Sequence, residues 1–269
     1  MTLLERLGEL FPQASRRSLK QWIERGRVEV NGHVVREGRV DVGAGDRIAL
    51  GRHGAGPFPL ALGLVFEDED LLVIDKPPGL LTIATERERE RTAYRLLRDY
   101  LQAGQPPRRP FIVHRLDRET SGLLVFAKSV RAKRRLQEQF EAREVERIYV
   151  AVVEGRVRDD RGVLASRLVQ DRGLRVRAGP RGREAITRYR VRERRSDTTV
   201  LELSLGTGRR QQIRVQLADL GHPIVGDRTH GSRSDRRGRL CLHASRLGFV
   251  HPESGRRVHF DSAAPAGWV

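Results

Sequence analysis

The sequence predicts an α+β protein in two parts, and three observations carry that prediction. Two short amphipathic helix patterns and a hairpin signal fill the first 50 residues; a Gly- and Pro-rich stretch follows at 51–60; and strand and helix patterns then mix through 61–269. Residues 2–10 and 15–25 read as helices, because Leu3, Leu4, Leu7 and Leu10 recur at helical spacing, as do Leu19, Trp22 and Ile23. Ser15 is expected to cap the second helix and Gly26 to stand at its C′ position. Asn31-Gly32 between Val28-Glu29-Val30 and His33-Val34-Val35 is a strong two-residue hairpin signal. A turn at Gly43–Asp46 then leads into a strand at Arg47–Leu50. So small a core does not stand far from its neighbours, and Arg16, Arg17, Lys20, Arg25 and Arg27 give this unit a basic face.

Residues 51–60 have no hydrophobic period and read as a linker. Beyond it, Leu64–Ile74 reads as two strands around the acidic turn Glu67–Asp70, stopped by Pro77-Pro78-Gly79. Helix patterns cover 92–103, with Tyr94, Leu96, Leu97 and Leu101 inward, and 129–142, with Ser129 as N-cap. Residues 146–153 alternate as a strand carrying Tyr149. Ten arginines against two glutamates fall in 172–195, broken by glycines and Pro180, so turns and strands are expected there instead of a basic helix. Gly206 and Gly208 lead to a helix expected to start near Arg209, with Ile213, Leu217 and Leu220 on one face and Arg210 and Arg214 together on another.

Composition narrows the partners. Lys+Arg is 52 against 35 Asp+Glu, a net charge of +17, which favours a polyanion and nucleic acid over a membrane. No apolar run reaches the ~20 residues of a membrane span, and Glu5, Arg6 and Glu9 interrupt any signal-peptide core. Cys241 is the only cysteine, which excludes internal disulfides and fits a reducing, cytoplasmic setting. The eight histidines are scattered, and no glycine loop of the phosphate-cradling type is present, so neither a metal nor a cofactor is expected. His114, His222 and His243 read as structural hydrogen-bonders, and nothing argues for an oligomer, so a monomer is expected.

The run His114-Arg115-Leu116-Asp117-Arg118-Glu119-Thr120-Ser121-Gly122 places Asp117 among cations, in a turn ahead of the apolar strand Leu123–Ala127. Neighbouring guanidinium groups favour the ionised form of a carboxylate, and Thr120, Ser121 and Gly122 suit a tight turn. A kinase-type loop is excluded because Leu116 separates Arg115 from Asp117 and no glycine-rich loop accompanies it. A guanidinium from the helix near Arg209 is within conceivable reach of Asp117.

Four ordered blocks carry a resemblance: Asp75-Lys76-Pro77-Pro78-Gly79-Leu80, the run around Asp117, Leu205–Asp227, and Leu242-His243-Ala244-Ser245-Arg246-Leu247. Together they resemble the RluA-type RNA pseudouridine synthases. Residues 1–50 resemble the small RNA-binding domain shared by a small-subunit ribosomal protein and tyrosyl-tRNA synthetases. The resemblance implies a catalytic domain over 61–269 built on a long mixed, mostly antiparallel sheet flanked by helices. It implies that Asp117 is catalytic, that Arg214 pairs with it, that Tyr149 and Ile213 sandwich the uracil, and that Arg115 fills the gap left by the flipped uridine. Arg16, Arg17, Lys20, Arg209 and Arg210 are the expected RNA contacts. Arg210 and Gln211 stand where the family commonly has Thr and His, and His230 where a tyrosine is frequent. The implied function is cofactor-free isomerisation of uridine in structured RNA, with large-subunit ribosomal RNA favoured and transfer RNA the second choice. A non-catalytic RNA-binding or ribosome-assembly factor is the competing class; it needs the basic first unit but not Asp117, Tyr149 and Arg214 together.

Overall fold

The computed structural model describes residues 1–268 apart from 13–15, 25, 27, 44, 51–57, 105–106, 172, 174 and 235–237. Expectations for Ser15, Arg25, Arg27 and most of the linker therefore fall outside the described residues. The chain divides into two compact units, residues 1–61 with 94–110, and residues 62–93 with 111–269.

In the first unit, helix α1 (Leu3–Leu10) starts at a capping box. Thr2 accepts from the Glu5 backbone N–H while the Glu5 carboxylate accepts from that of Thr2. Leu3 and Leu7 are buried, while Leu10, of the same helical repeat, is exposed at the end of the helix. Helix α2 (Arg16–Glu24) buries Leu19 and Ile23, and Gly26 follows with φ +67° and donates to the Ile23 carbonyl. Asn31 and Gly32 have φ of 53° and 83°, as a primed hairpin turn requires. They join β1 (Val28–Val30) to β2 (His33–Val35), and β1 also pairs antiparallel with β3 (Ile48–Leu50). The Asn31 side chain ties this turn to Asp46 and Arg47 at 2.8 and 3.0 Å. Leu3, Leu7, Leu19, Ile23, Val28 and Val42 form the core of the unit. Helix α3 (Ala93–Gln102) buries Leu97 and Leu101, with Tyr94 and Leu96 half-buried.

The second unit holds an eleven-stranded sheet. Its strands are β4 (Gly63–Glu67), β5 (Leu71–Lys76), β6 (Phe111–Ile112), β7 (Ser121–Ala127), β8 (Glu146–Glu154) and β9 (Arg161–Gln170). They continue with β10 (Val176–Ala178), β11 (Arg183–Arg194), β12 (Thr198–Leu205), β13 (Leu242–Val250) and β14 (Arg257–Asp261). The order is β10-β9-β11-β12-β8-β13-β7-β5-β4, with β14 on β13 and β6 on β7. Every pair is antiparallel except β13 with β7. There Gly122 faces Ala244 with φ +109°, and a Cβ on Gly122 would lie 2.3 Å from the Ala244 carbonyl oxygen. That approach of two backbones admits only glycine.

The acidic turn between β4 and β5 is closed by Asp68, whose Oδ1 accepts from the Asp70 and Leu71 backbone N–H groups at 2.9 Å. Helix α4 (Val130–Glu141) is capped by Ser129, which accepts from Ala132. Ala132 and Leu136 pack on Leu71, Val73, Leu123, Val125, Leu247 and Phe249. Strand β8 does not alternate as expected: Tyr149–Val153 are buried without interruption. It runs between β12 and β13 in mid-sheet, and strands covered on both faces are apolar throughout. The arginine-rich stretch forms β10 and β11, where exposed Arg188 and Arg190 alternate with buried Thr187 and Tyr189. Several of its arginines have partners within the protein: Arg190 and Arg192 meet Glu202 on β12, and Arg194 meets Asp160. Among the described residues, no helix is long and apolar enough to cross a membrane.

Candidate active site

Asp117 sits in the segment between β6 and β7, and that segment is fixed on both sides of it. One residue before, Leu116 donates its N–H to the Thr82 hydroxyl at 3.1 Å and accepts from it at 2.8 Å. One residue after, the Arg118 carbonyl accepts from Lys76 Nζ at 3.1 Å and from the Gly79 N–H at 2.9 Å. Lys76 is fully buried and donates also to the Pro77 and Leu80 carbonyls at 2.8 Å. Burial pushes its ammonium down to about 7, against the opposing charges of Glu119 and Asp117. The Asp117 carbonyl accepts from Thr120 at 3.2 Å, which closes the turn. Such a frame positions a side chain because each neighbouring peptide has a partner elsewhere in the fold.

Beneath the turn, Ser121 hydrogen-bonds His243 Nδ1 at 2.8 Å, and His243 Nε2 meets Ser262 at 3.0 Å. Ser262 in turn donates to Asp75. His114 accepts from the Val125 N–H at 3.2 Å and stacks on Phe140 at 4.7 Å. Burial pushes its imidazole down to about 3, so the ring is neutral. His222 Nδ1 bonds the Glu154 carbonyl at 2.8 Å. All three histidines thus make the structural contacts expected of them.

The facing wall comes from β8 and helix α5 (Gln212–Asp219). The helix starts at Gln212, three residues later than expected. Gln211 takes a left-handed conformation, and the Gln212 side chain folds back onto the entry turn, accepting from the Thr207 hydroxyl and the Arg209 N–H. Arg210 therefore lies outside the helix and is exposed while Arg214 is buried, so the two do not share a face. Leu220, expected on one face with Ile213 and Leu217, is exposed just past the helix end while those two are buried.

Arg214 Nη1 lies 3.9 Å from Asp117 Oδ2. Its closer partner is Asp227, bound through Nε and Nη2 at 2.7 Å each. Burial opposes the Arg214 charge, but the hydrogen bonds and charge of Asp227, with Asp117 and Glu119 adding, hold its pKa above the ordinary arginine value. Asp227 has no exposed side-chain surface and also accepts from the His230 N–H at 3.3 Å, at the 3-10 turn Arg228–His230. Sequence reasoning assigned it no role. The available signal was a lone carboxylate directly after the apolar Pro223-Ile224-Val225-Gly226. A charge set in such a run is buried and needs a partner.

These walls enclose a cleft of about 560 Å³ lined by Arg115, Asp117, Tyr149, Arg209, Arg210, Ile213 and Arg214. Seven residues expected at the site thus share one cavity. Arg16, Arg17 and Lys20 are exposed on α2 of the first unit. Burial pushes the Tyr149 phenol up to about 12, Arg147 working against it, so it stays protonated. Among the described residues, the one histidine–carboxylate cluster with metal-ligand spacing is Asp68, Asp70 and His251, and it does not line the cleft. His251 Nε2 is already bonded to Asp68 at 2.7 Å, and its Nδ1 accepts from Glu253 and Ser254.

Known proteins supply independent comparisons. The S4 domain family matches residues 4–48, and the family described as RNA pseudouridylate synthase matches residues 70–219. A protein of Xylella fastidiosa named ribosomal large subunit pseudouridine synthase D is 39% identical, over 96% of this chain and 84% of its own length. The Yersinia pestis protein of that name is 37% identical over 98% and 87%. An uncharacterized RNA pseudouridine synthase of Aquifex aeolicus is 35% identical over 96% and 89%. Among solved structures, human RNA pseudouridylate synthase domain containing 1 superposes with a TM-score of 0.63 at 26% identity, covering 76% of this chain and 84% of that one. By these matches the chain belongs to the RNA pseudouridylate synthase family, as an α+β enzyme preceded by an S4 domain.

Proposed function

We propose that the chain converts uridine to pseudouridine in large-subunit ribosomal RNA, acting as a monomer in the cytoplasm, with Asp117 as its catalytic residue. The observation that carries this reading is the 3.9 Å approach of Arg214 to Asp117 inside a cleft that also holds Tyr149 and Ile213. The isomerisation breaks the N1–C1′ bond, turns the uracil and joins C5 to C1′; the C5 proton leaves and N1 gains one. No oxidation, group donor or nucleotide is consumed. A single carboxylate at C1′, at the ring or at a sugar proton meets the requirement.

Each residue then has a task set by its chemistry. Arg214 supplies a fixed positive charge beside Asp117, and Asp227 holds that guanidinium in place. The Tyr149 ring and the Ile213 side chain offer two apolar surfaces for a flat base taken out of its stack. Arg115, exposed at the cleft, takes the space the uridine vacates. Base flipping costs a few kcal/mol, and Arg209 and Arg210, with Arg16, Arg17 and Lys20 on the S4 domain, offset it through phosphate contacts. The relatives named for the large ribosomal subunit favour ribosomal RNA over transfer RNA.

The test is tritium release from pseudouridine-free RNA labelled at C5 of uridine, with ribosomal and transfer RNA assayed separately. Release from ribosomal RNA by the wild type and none by Asp117→Asn is expected. Release from transfer RNA alone would move the substrate, and equal release by both proteins would displace Asp117 from its role.

A further inference from the structure

Arg147 precedes Tyr149 by two residues on β8, so the two side chains stand on one face of the strand. Both line the cleft that contains Asp117. The guanidinium lies over Phe140, 5.4 Å from the ring centroid. Among the described residues its buried Nε has no hydrogen-bond partner, and its Nη2 reaches the Leu205 carbonyl at a long 3.4 Å. Burial lowers its pKa, and the neighbour that favours its charge is the Tyr149 phenol, not a carboxylate. Other arginines of this unit have acidic partners: Arg214 has Asp227, Arg143 has Glu184 and Arg194 has Asp160.

A half-buried guanidinium without a counter-charge is costly, and such a cost persists where an anion arrives with the ligand. Gly208 supports this reading. Its backbone needs no positive φ, yet a Cβ there would lie 2.6 Å from Arg147 Nη1. The glycine thus leaves room for the guanidinium, and a side chain there would push its flexible end aside. The two features together keep a planar, donor-rich cation open to the cleft, a geometry that suits a phosphate.

We propose that Arg147 binds an RNA backbone phosphate adjacent to the flipped uridine and so positions the nucleotide against Tyr149. This rests on the cleft being the uridine site. Arg147 is then a substrate-positioning residue: it acts on binding and, through the placement of the uridine, on the rate, without touching the reacting atoms.

The experiment measures RNA affinity between 50 and 300 mM salt, and single-turnover tritium release at saturating enzyme, for wild type, Arg147→Gln, Arg147→Lys and Gly208→Ala. Arg147→Gln is expected to bind about 10- to 100-fold more weakly, the range of a lost charged hydrogen bond. Its plot of log affinity against log salt is expected to flatten by about 0.7–0.9, one phosphate contact. Arg147→Lys is expected to keep the slope. Gly208→Ala displaces the guanidinium and is expected to weaken binding while leaving the melting temperature near that of wild type. Unchanged affinity, or weaker binding with an unchanged slope, in Arg147→Gln overturns the proposal. Should that variant fail to fold, Arg147→Met, read in the same two assays, decides in its place. Absence of tritium release by the wild type would refute the pseudouridylation reading instead, and the salt slopes would still report the phosphate contact.

Discussion

Replacing Asp227 by Asn tests how the site is held. The substitution keeps the shape of the side chain but removes the charge that meets Arg214 through two 2.7 Å hydrogen bonds. Both side chains are buried, with 7% and 0% of their surfaces exposed. Breaking such a pair from one side leaves an uncompensated buried charge and costs about 3–5 kcal/mol. At roughly 2–4 °C per kcal/mol for a unit of this size, the second unit should melt about 6–20 °C lower. Arg214 would then turn toward its remaining carboxylate, Asp117, now 3.9 Å away. A displacement of about 1 Å at a reacting group costs on the order of 100-fold in rate. The assays are thermal melting by circular dichroism and single-turnover tritium release below the lowered transition. The pair Arg214→Met with Asp227→Leu separates the two effects, because apolar groups of similar volume replace buried ion pairs at little cost. That variant should regain most of the stability and none of the activity. Wild-type melting and rate in Asp227→Asn would refute the reasoning.

Two further outcomes are expected. Tyr149→Phe should bind substrate RNA like wild type, because burial keeps the phenol protonated and the ring does the stacking, whereas Tyr149→Ala should lose about 1–3 kcal/mol of affinity in a filter-binding assay. His114 has a folded pKa of about 3, below the unfolded 6.5, so the unfolded state takes up the proton first. Its stabilising contribution is full above pH 6.5 and declines as the pH falls from there toward 3. His114→Phe, which keeps a ring against Phe140 and cannot be protonated, should flatten the decline in melting temperature with acidification. An unchanged slope would remove His114 from the explanation.

The elements with local causes were legible in the sequence. The Asn31-Gly32 hairpin, the Ser129 cap and the Gly26 helix end each depend on a few adjacent residues, and each is formed. The helix around Arg214 was misplaced because its start is decided by the Gln212 side chain bonding Thr207 and, across the chain, Ile186 and Thr187. No local propensity reports such contacts. The continuous burial of β8 followed from having strands on both sides, one of them nearly a hundred residues away in sequence. The approach of Arg214 to Asp117 was anticipated from a resemblance, while its bond to Asp227 was not anticipated at all. An ion pair is invisible in sequence unless one member looks out of place, as Asp227 does among apolar residues.

The same distinction explains why the Asp117 turn is built as it is. A short polar turn with one carboxylate and several cations is common on protein surfaces, and by its own residues this one would be mobile. It is made rigid by groups from remote segments: Thr82 on Leu116, Lys76 on Arg118, and His243 on Ser121. Of these, Lys76 makes the most bonds: one fully buried ammonium ties the Pro77–Leu80 turn to the Asp117 turn through three carbonyls. A neutral amine has two protons for those three acceptors, so the geometry calls for the charged form. Burial favours the neutral form, and the nearby Glu119 and Asp117 carboxylates oppose it. The clamp and the carboxylate it positions are therefore linked: Asp117 helps keep charged the lysine that fixes its own backbone, and Arg214 faces it from a helix anchored separately by Asp227. The two halves of the site are thus held by different networks, one centred on Lys76 and the other on Asp227.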